Sequence, residues 1–215
     1  MKLKNSSIPS TLAEENANVF THAAGVVLAL LGSIDLLMKA YSHQDAWEIF
    51  SAYVFGGSLI LLYLASTLYH AFSGPKRKAL FKIIDHSAIY VLIAGTYTPI
   101  LLVGLRDEIH ISFIIVMWSI ALCGIIYKLF MVKKFKLIST LIYLAMGWMA
   151  LFKIKTIYLY LPTGALIWIL IGGFFYSIGT IFYSKDRMPY NHAIWHVFVL
   201  FGSISHFIAI YFYVY

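Results

Sequence analysis

Two histidines four residues apart, His192 and His196, open the last apolar run of the chain, and a third, His70, closes the second. On a helix an i, i+4 pair lies on one face about 6 Å apart along the axis, so two imidazoles can point at a common ion. The spacing also suits a hydrogen-bonded core pair, and His70 at a matching depth shifts the balance toward metal. Three imidazoles suit Zn²⁺, which in catalytic sites takes three protein ligands and leaves the fourth position to a water whose pKa falls to about 7. Asp85, at the start of the third apolar run, is placed to take that proton. Ser66, one turn before His70, can hold Asp85 or the water through its hydroxyl. The bland alternatives are an interfacial His70, and an Asp85 that pairs with Lys82 or caps its helix.

The elements that must position these groups are membrane spans. The 215 residues are 61% hydrophobic and 12% charged, and the mean hydropathy is +0.84, outside the range of soluble domains. Apolar stretches run over about 19–38, 49–72, 83–105, 111–132, 137–152, 157–183 and 192–215, seven candidate spans of roughly 20 residues each. The expected fold is an all-α integral membrane protein, a seven-transmembrane-helix bundle. A short segment, 1–18, precedes a single membrane domain over 19–215, and no cleavable signal peptide is expected. The fifth stretch is short enough that Lys136 and Lys153 are expected to snorkel from its ends. Pro99 should kink the third span. Gly172, Gly173 and Gly179 should let the sixth approach a neighbour closely.

Seven spans put the termini on opposite sides. Twelve Lys and Arg fall on the amino-terminal side, namely Lys2, Lys4, Lys76, Arg77, Lys78, Lys82, Lys128, Lys133, Lys134, Lys136, Lys185 and Arg187. Four fall on the other, namely Lys39, Arg106, Lys153 and Lys155. The positive-inside rule then predicts a cytoplasmic amino terminus and an outside carboxyl terminus. His70, Asp85, His192 and His196 all come to the cytoplasmic face, where ionisable groups beside hydrocarbon mark function. The net charge of +7 lies in short loops rather than along a stripe, so no nucleic-acid partner is expected. Cys123, the single cysteine, rules out an intrachain disulfide and a thiolate cluster.

Glu15, Asn18 and His22 form one polar stripe at the entrance of the first span. It reads either as a hydrated helix start or, for His22, as a fourth metal contact or pocket residue. His206 is about 15 Å deeper than His196 along its helix and is expected to make an interhelical hydrogen bond. His43 and His110 should be solvated on the outside face, Asp35 interfacial, and His86 points about 100° away from Asp85.

These residues resemble those of the haemolysin III branch of the progestin and adipoQ receptor family, which belongs to a superfamily that includes the alkaline ceramidases. The similarity covers essentially the whole chain through three motifs. They are Glu15-x2-Asn18-x3-His22, then Ser66-x3-His70 with Asp85, then His192-x3-His196 with His206. The resemblance implies a seven-helix bundle with a cytoplasmic amino terminus, zinc on His70, His192 and His196, and Asp85 and Ser66 against the zinc-bound water. It also implies hydrolysis of a lipid amide. The long amino-terminal region of the animal receptors is missing, so a hormone ligand is not expected.

The first functional expectation is a zinc-dependent hydrolase of membrane lipid amides or esters, in the bacterial cytoplasmic membrane, serving lipid homeostasis. One alternative is a non-enzymatic sensor or receptor-like protein with structural zinc. The other is the pore-forming cytolysis in the family's name, which a chain with seven anchoring spans supports poorly.

Overall fold

The computed structural model describes residues 11–107, 111–131, 136–185 and 187–215. Lys2, Lys4, His110, Lys133 and Lys134 lie outside them, as do most of the segment 1–18 and the side chain of Lys136. The described elements are helical: α1 (Leu12–His43), α2 (Ala46–Ala71), α3 (Pro75–Pro99), α4 (Ser112–Met131), α5 (Lys136–Gly147), α6 (Ile154–Tyr160), α7 (Thr163–Tyr183) and α8 (Asn191–Tyr213). A π-helical turn, Ile100–Gly104, prolongs α3, and a 3₁₀ stretch, Trp148–Lys153, joins α5 to α6. Together they make seven helices long and apolar enough to cross a membrane, the number that composition predicted.

Several boundaries differ from the apolar runs, for physical reasons. α1 starts at Leu12 because Thr11 and Glu14 close a capping box ahead of the apolar residues,. The fifth span does not end at Phe152. It continues through the 3₁₀ stretch and α6 to Tyr160, and the chain reverses at Leu161–Pro162. Lys153 therefore lies inside this span rather than at its end. Lys128, expected in a loop, sits within α4 at 3% exposure, its Nζ donating to Ser139 Oγ at 2.6 Å. Removing both lysines from the charge count leaves its asymmetry intact.

Pro99 lacks the N–H that would bond one turn back, and the helix widens into the π turn directly after it,. Beside this break, Tyr97 Oη donates to Gly147 O at 2.8 Å and accepts from Ala150 N at 2.8 Å. Tyr97 thus ties the interrupted third span to the interrupted fifth.

The most extensive packing joins α1 to α2, α2 to α3 and α7 to α8, with α1 also against α8. Small residues allow it: a Cβ on Gly56 of α2 would stand 2.6 Å from Ser33 Oγ of α1, so the α2 backbone comes up against the short serine side chain. Of the four sixth-span glycines, Gly164 abuts Tyr213, Gly172 abuts His206 and Gly179 abuts Phe198, while Gly173 faces Trp148 at ordinary distance. In the central α2, α3 and α8, half or more of the apolar window is buried, whereas in the fourth, fifth and sixth spans about a fifth is.

At the end of the bundle away from the histidines, Asp45 caps α2 by accepting from Trp47 N and Glu48 N. Arg106 grips the same carboxylate through two bonds of 2.8 Å. The guanidinium, with the helix-start amides, holds the Asp45 carboxyl down at about 2,.

Candidate metal centre

Three helices converge at the polar end. His70 stands one residue before the close of α2. His192 and His196 occupy the first two turns of α8, which opens after Tyr190 turns the chain in a left-handed conformation, φ 54°. One candidate ligand atom from each of His70, His192 and His196 lies within 4.8 Å of the others. Their rings stand 4.6 to 5.2 Å apart and are steeply inclined to one another.

Helix α1 sets two of these rings. Glu15 Oε2 lies 2.7 Å from His70 Nδ1. A carboxylate only accepts, so Nδ1 carries the proton and Nε2 the lone pair. The Asn18 amide lies 3.3 Å from the same nitrogen, and the shorter, charged partner decides the tautomer. Glu15 Oε1 in turn accepts from Lys78 Nζ at 2.8 Å. Thr21 Oγ1 directs its proton at the carbonyls of Ala17 and Asn18. Its lone pairs therefore face His196 Nδ1 at 3.2 Å, which must donate. His70 and His196 thus both turn a bare Nε2 inward, and both atoms are buried without a protein partner.

Leaving two buried acceptors unsatisfied costs roughly 1–3 kcal/mol each, a cost that a divalent cation with imidazole affinity would remove. The carboxylate or hydroxyl behind each ring is the outer-shell support that histidine ligands use. The donor set therefore fits a metal ion, with nitrogen ligands suiting zinc among others. Glu14 adds a clamp: its Oε1 accepts from Tyr190 N at 3.0 Å, fixing the start of α8 to the start of α1.

The remaining candidates fall into place around this cluster. Asp85 is 2% exposed and lies ten residues inside α3, so it caps nothing. It stands at the head of a cavity that His22 also lines. Ser66, fully buried, is within reach of the Asp85 carboxyl, but neither Ser66 Oγ nor Asp85 Oδ2 has a well-formed bond, leaving both able to bind a third group. Lys82 and Lys128 are the cations whose charges reach Asp85.

His22 does not join the three. It lies flat on His196, ring centres 3.5 Å apart and planes at 18°. Stacked in this way, His22 stays outside the group of His70, His192 and His196, whose ligand atoms converge. The α1 stripe is no hydrated helix start, since Asn18 and His22 are 3% and 1% exposed. His206 bonds within its own helix, Nδ1 to Gly202 O at 2.9 Å, and its contact across helices is a stack on Tyr176. His43 pairs with Glu48 at 2.7 Å, His86 is buried beside Asp85, and Asp35 is exposed.

Beneath the cluster the cavity descends between α3, the fifth span, α7 and α8. Its walls are apolar and aromatic, including Ile89, Leu92, Tyr143, Trp148 and Val199, and Lys153 and Ile157 line its far part.

Seven membrane-crossing helices gathered around a histidine cluster and an apolar cavity define a polytopic membrane protein with a candidate metal centre. Residues 10–207 match the model of a family described as "Haemolysin-III related". The chain is 46% identical over 203 residues to a hemolysin-3 homolog of Bacillus subtilis, spanning 94% of this chain and 95% of the relative. It is 44% identical to hemolysin-3 of Bacillus cereus over 100% of this chain and 98% of that one. It is also 32% identical to the human monocyte to macrophage differentiation factor, over 98% and 89%. The chain therefore belongs to the haemolysin III-related family and is a multi-pass protein of the cell membrane, of the bacterial type.

Proposed function

We propose that this protein is a zinc-dependent hydrolase of a membrane lipid amide or ester, with His70, His192 and His196 as the metal ligands. The observation that carries the reading is the junction of a three-histidine cluster with a buried carboxylate at the head of an apolar cavity. Zinc at such a site polarises a carbonyl and brings the pKa of water to about 7.

The chain's own residues supply the rest. The cavity takes the acyl chain out of water and brings its carbonyl carbon up to the cluster, turning a lipid encounter into an oriented one. Asp85 Oδ2 accepts the proton of the attacking water and returns it to the departing nitrogen or oxygen. Ser66 holds the carboxyl in line. Glu15 and Thr21 keep the His70 and His196 rings in the tautomer that turns Nε2 inward.

The orientation proposed from the lysine and arginine count places this end at the cytoplasmic leaflet, so the substrate enters from the inner monolayer. In this reading Asp85 and Ser66 are the catalytic residues and 19–215 the membrane domain, preceded by the cytoplasmic segment 1–18. A structural-zinc sensor would call for a fourth protein ligand, and the flat stacking of His22 on His196 speaks against its being one,.

The test uses purified full-length protein in detergent, with an N-acyl amide of a long-chain base as substrate. Wild type should hold zinc and release fatty acid. Asp85→Asn should hold zinc equally and lose roughly a hundredfold or more of the rate. Turnover that survives in Asp85→Asn, or is missing from zinc-loaded wild type on amide and ester alike, would remove the reading.

A further inference from the structure

About 15 Å beyond His196 along α8, His206 meets the same cavity, held by contacts that fix both its tautomer and its direction. Its Nδ1 lies 2.9 Å from Gly202 O, and a carbonyl only accepts, so Nδ1 carries the proton and Nε2 the lone pair. The Nδ1–Cε1 edge fits against Gly172 of α7, where any Cβ would collide with it. Its face stacks on Tyr176, ring centres 5.5 Å apart. The hydroxyls nearby are already committed to each other: Tyr63 Oη donates to Ser203 Oγ at 2.7 Å, and Tyr176 Oη lies 2.9 Å from the same oxygen. Among the described residues no protein group bonds Nε2.

Two polar groups in the same lining are spent on other partners: Ser177 Oγ donates to Gly173 O at 2.7 Å and accepts from Trp148 Nε1 at 3.0 Å, and Tyr97 Oη donates to Gly147 O at 2.8 Å. Lys153 also lines the cavity, as does Thr96 of α3, eleven residues past Asp85. Its hydroxyl proton is given to Leu92 O at 2.8 Å, so Thr96 too offers the cavity lone pairs and no proton. A rigidly held acceptor in hydrocarbon surroundings costs free energy unless an occupant donates to it. A plain acyl chain has nothing to donate.

We propose that His206 is a specificity-determining residue whose Nε2 accepts a hydrogen bond from a hydroxyl partway along the lipid chain, so that the cavity selects hydroxylated acyl chains over plain ones. The inference rests on the hydrolase reading only in taking a lipid chain as the occupant. The axial distance from the cluster puts the hydroxyl on the order of a dozen carbons from the carbonyl.

The test is equilibrium binding of octadecanoic acid and of its 12-hydroxy derivative to the full-length protein in detergent, measured by displacement of a fluorescent fatty acid. Wild type should prefer the hydroxylated acid roughly three- to tenfold. His206→Leu should bind the two alike, and His206→Gln, whose amide oxygen still accepts, should keep part of the preference. Should His206→Leu fail to fold, the wild-type and His206→Gln arms decide alone. Equal affinities in wild type, a preference that survives in folded His206→Leu, or no saturable binding of either acid overturns the inference. Turnover is scored separately. Selective binding without hydrolysis keeps the inference and discards the hydrolase, while hydrolysis without selectivity does the reverse.

Discussion

The bundle has two halves built on different terms. Helices α1, α2, α3 and α8 meet over glycine and serine, bury their polar stripe and cross-link it through Glu15, Thr21 and Glu14. The fifth span packs more loosely, including against the face that α7 turns toward it; both spans bury about a fifth of their apolar windows and leave the cavity between themselves, α3 and α8, although α7 meets α8 closely. A ligand set tolerates little movement, because a metal site needs its donors held in one geometry. A cavity for a flexible chain has no such demand. The interrupted fifth span, with its 3₁₀ stretch tied to Tyr97, gives irregular backbone where it is buried in protein or lines a cavity, the setting in which membranes tolerate it.

The sharpest way to break this contrast is to crowd each half in turn. Gly25→Val drives a side chain into the ring of Tyr63 at the α1–α2 contact. It should cost about 1–3 kcal/mol or more, read as a lowered thermal midpoint in detergent. Gly173→Ala, whose new Cβ would sit 3.4 Å from Trp148, should be neutral or slightly stabilising, by up to ~1 kcal/mol. Equal losses in the two variants would erase the distinction between the halves.

Next in size is Glu15→Gln, which removes the charge behind His70 while keeping its shape. Zinc affinity, measured by competition with a chelator, should fall about 10–100-fold with the fold intact. Tyr97→Phe removes both bonds to the interrupted fifth span and should cost ~1–2 kcal/mol, with faster backbone amide exchange over 148–153 and an unchanged metal site.

The smallest effect belongs to the far end. Arg106→Ala should cost less than about 1 kcal/mol, and less still at high salt. Its sign with pH follows from the depressed Asp45 carboxyl. The clasp contributes fully above the ordinary aspartate pKa and is lost as pH falls toward about 2. A thermal midpoint in Arg106→Ala that converges on wild type in strong acid would bear this out.

The sequence made some of this legible and hid the rest. The seven spans were readable because hydrocarbon thickness imposes a length and a composition on each. The pairing of His192 with His196 was readable because both lie on one helix, where spacing alone decides direction. The partners behind those rings were not: Glu15 meets His70 across 55 residues and Thr21 meets His196 across 175. Such contacts depend on α1 lying between α2 and α8, which no local pattern announces. Thr21 gave one faint signal, its place three residues after Asn18 on the flank of the stripe. Lys153 misled because a lysine after an apolar run resembles a boundary, whereas the helix here only changes pitch. Lys128 misled in the same way, since burial against Ser139 is a tertiary fact.

The central claim is that His70, His192 and His196 hold one zinc ion between them. Metal content of the purified full-length chain by mass spectrometry tests it most directly, with folding of each sample checked by circular dichroism. Wild type should carry close to one zinc per chain and folded His196→Ala near none. A folded wild type without zinc after exposure to the ion, or a His196→Ala chain that keeps its full complement, would contradict it.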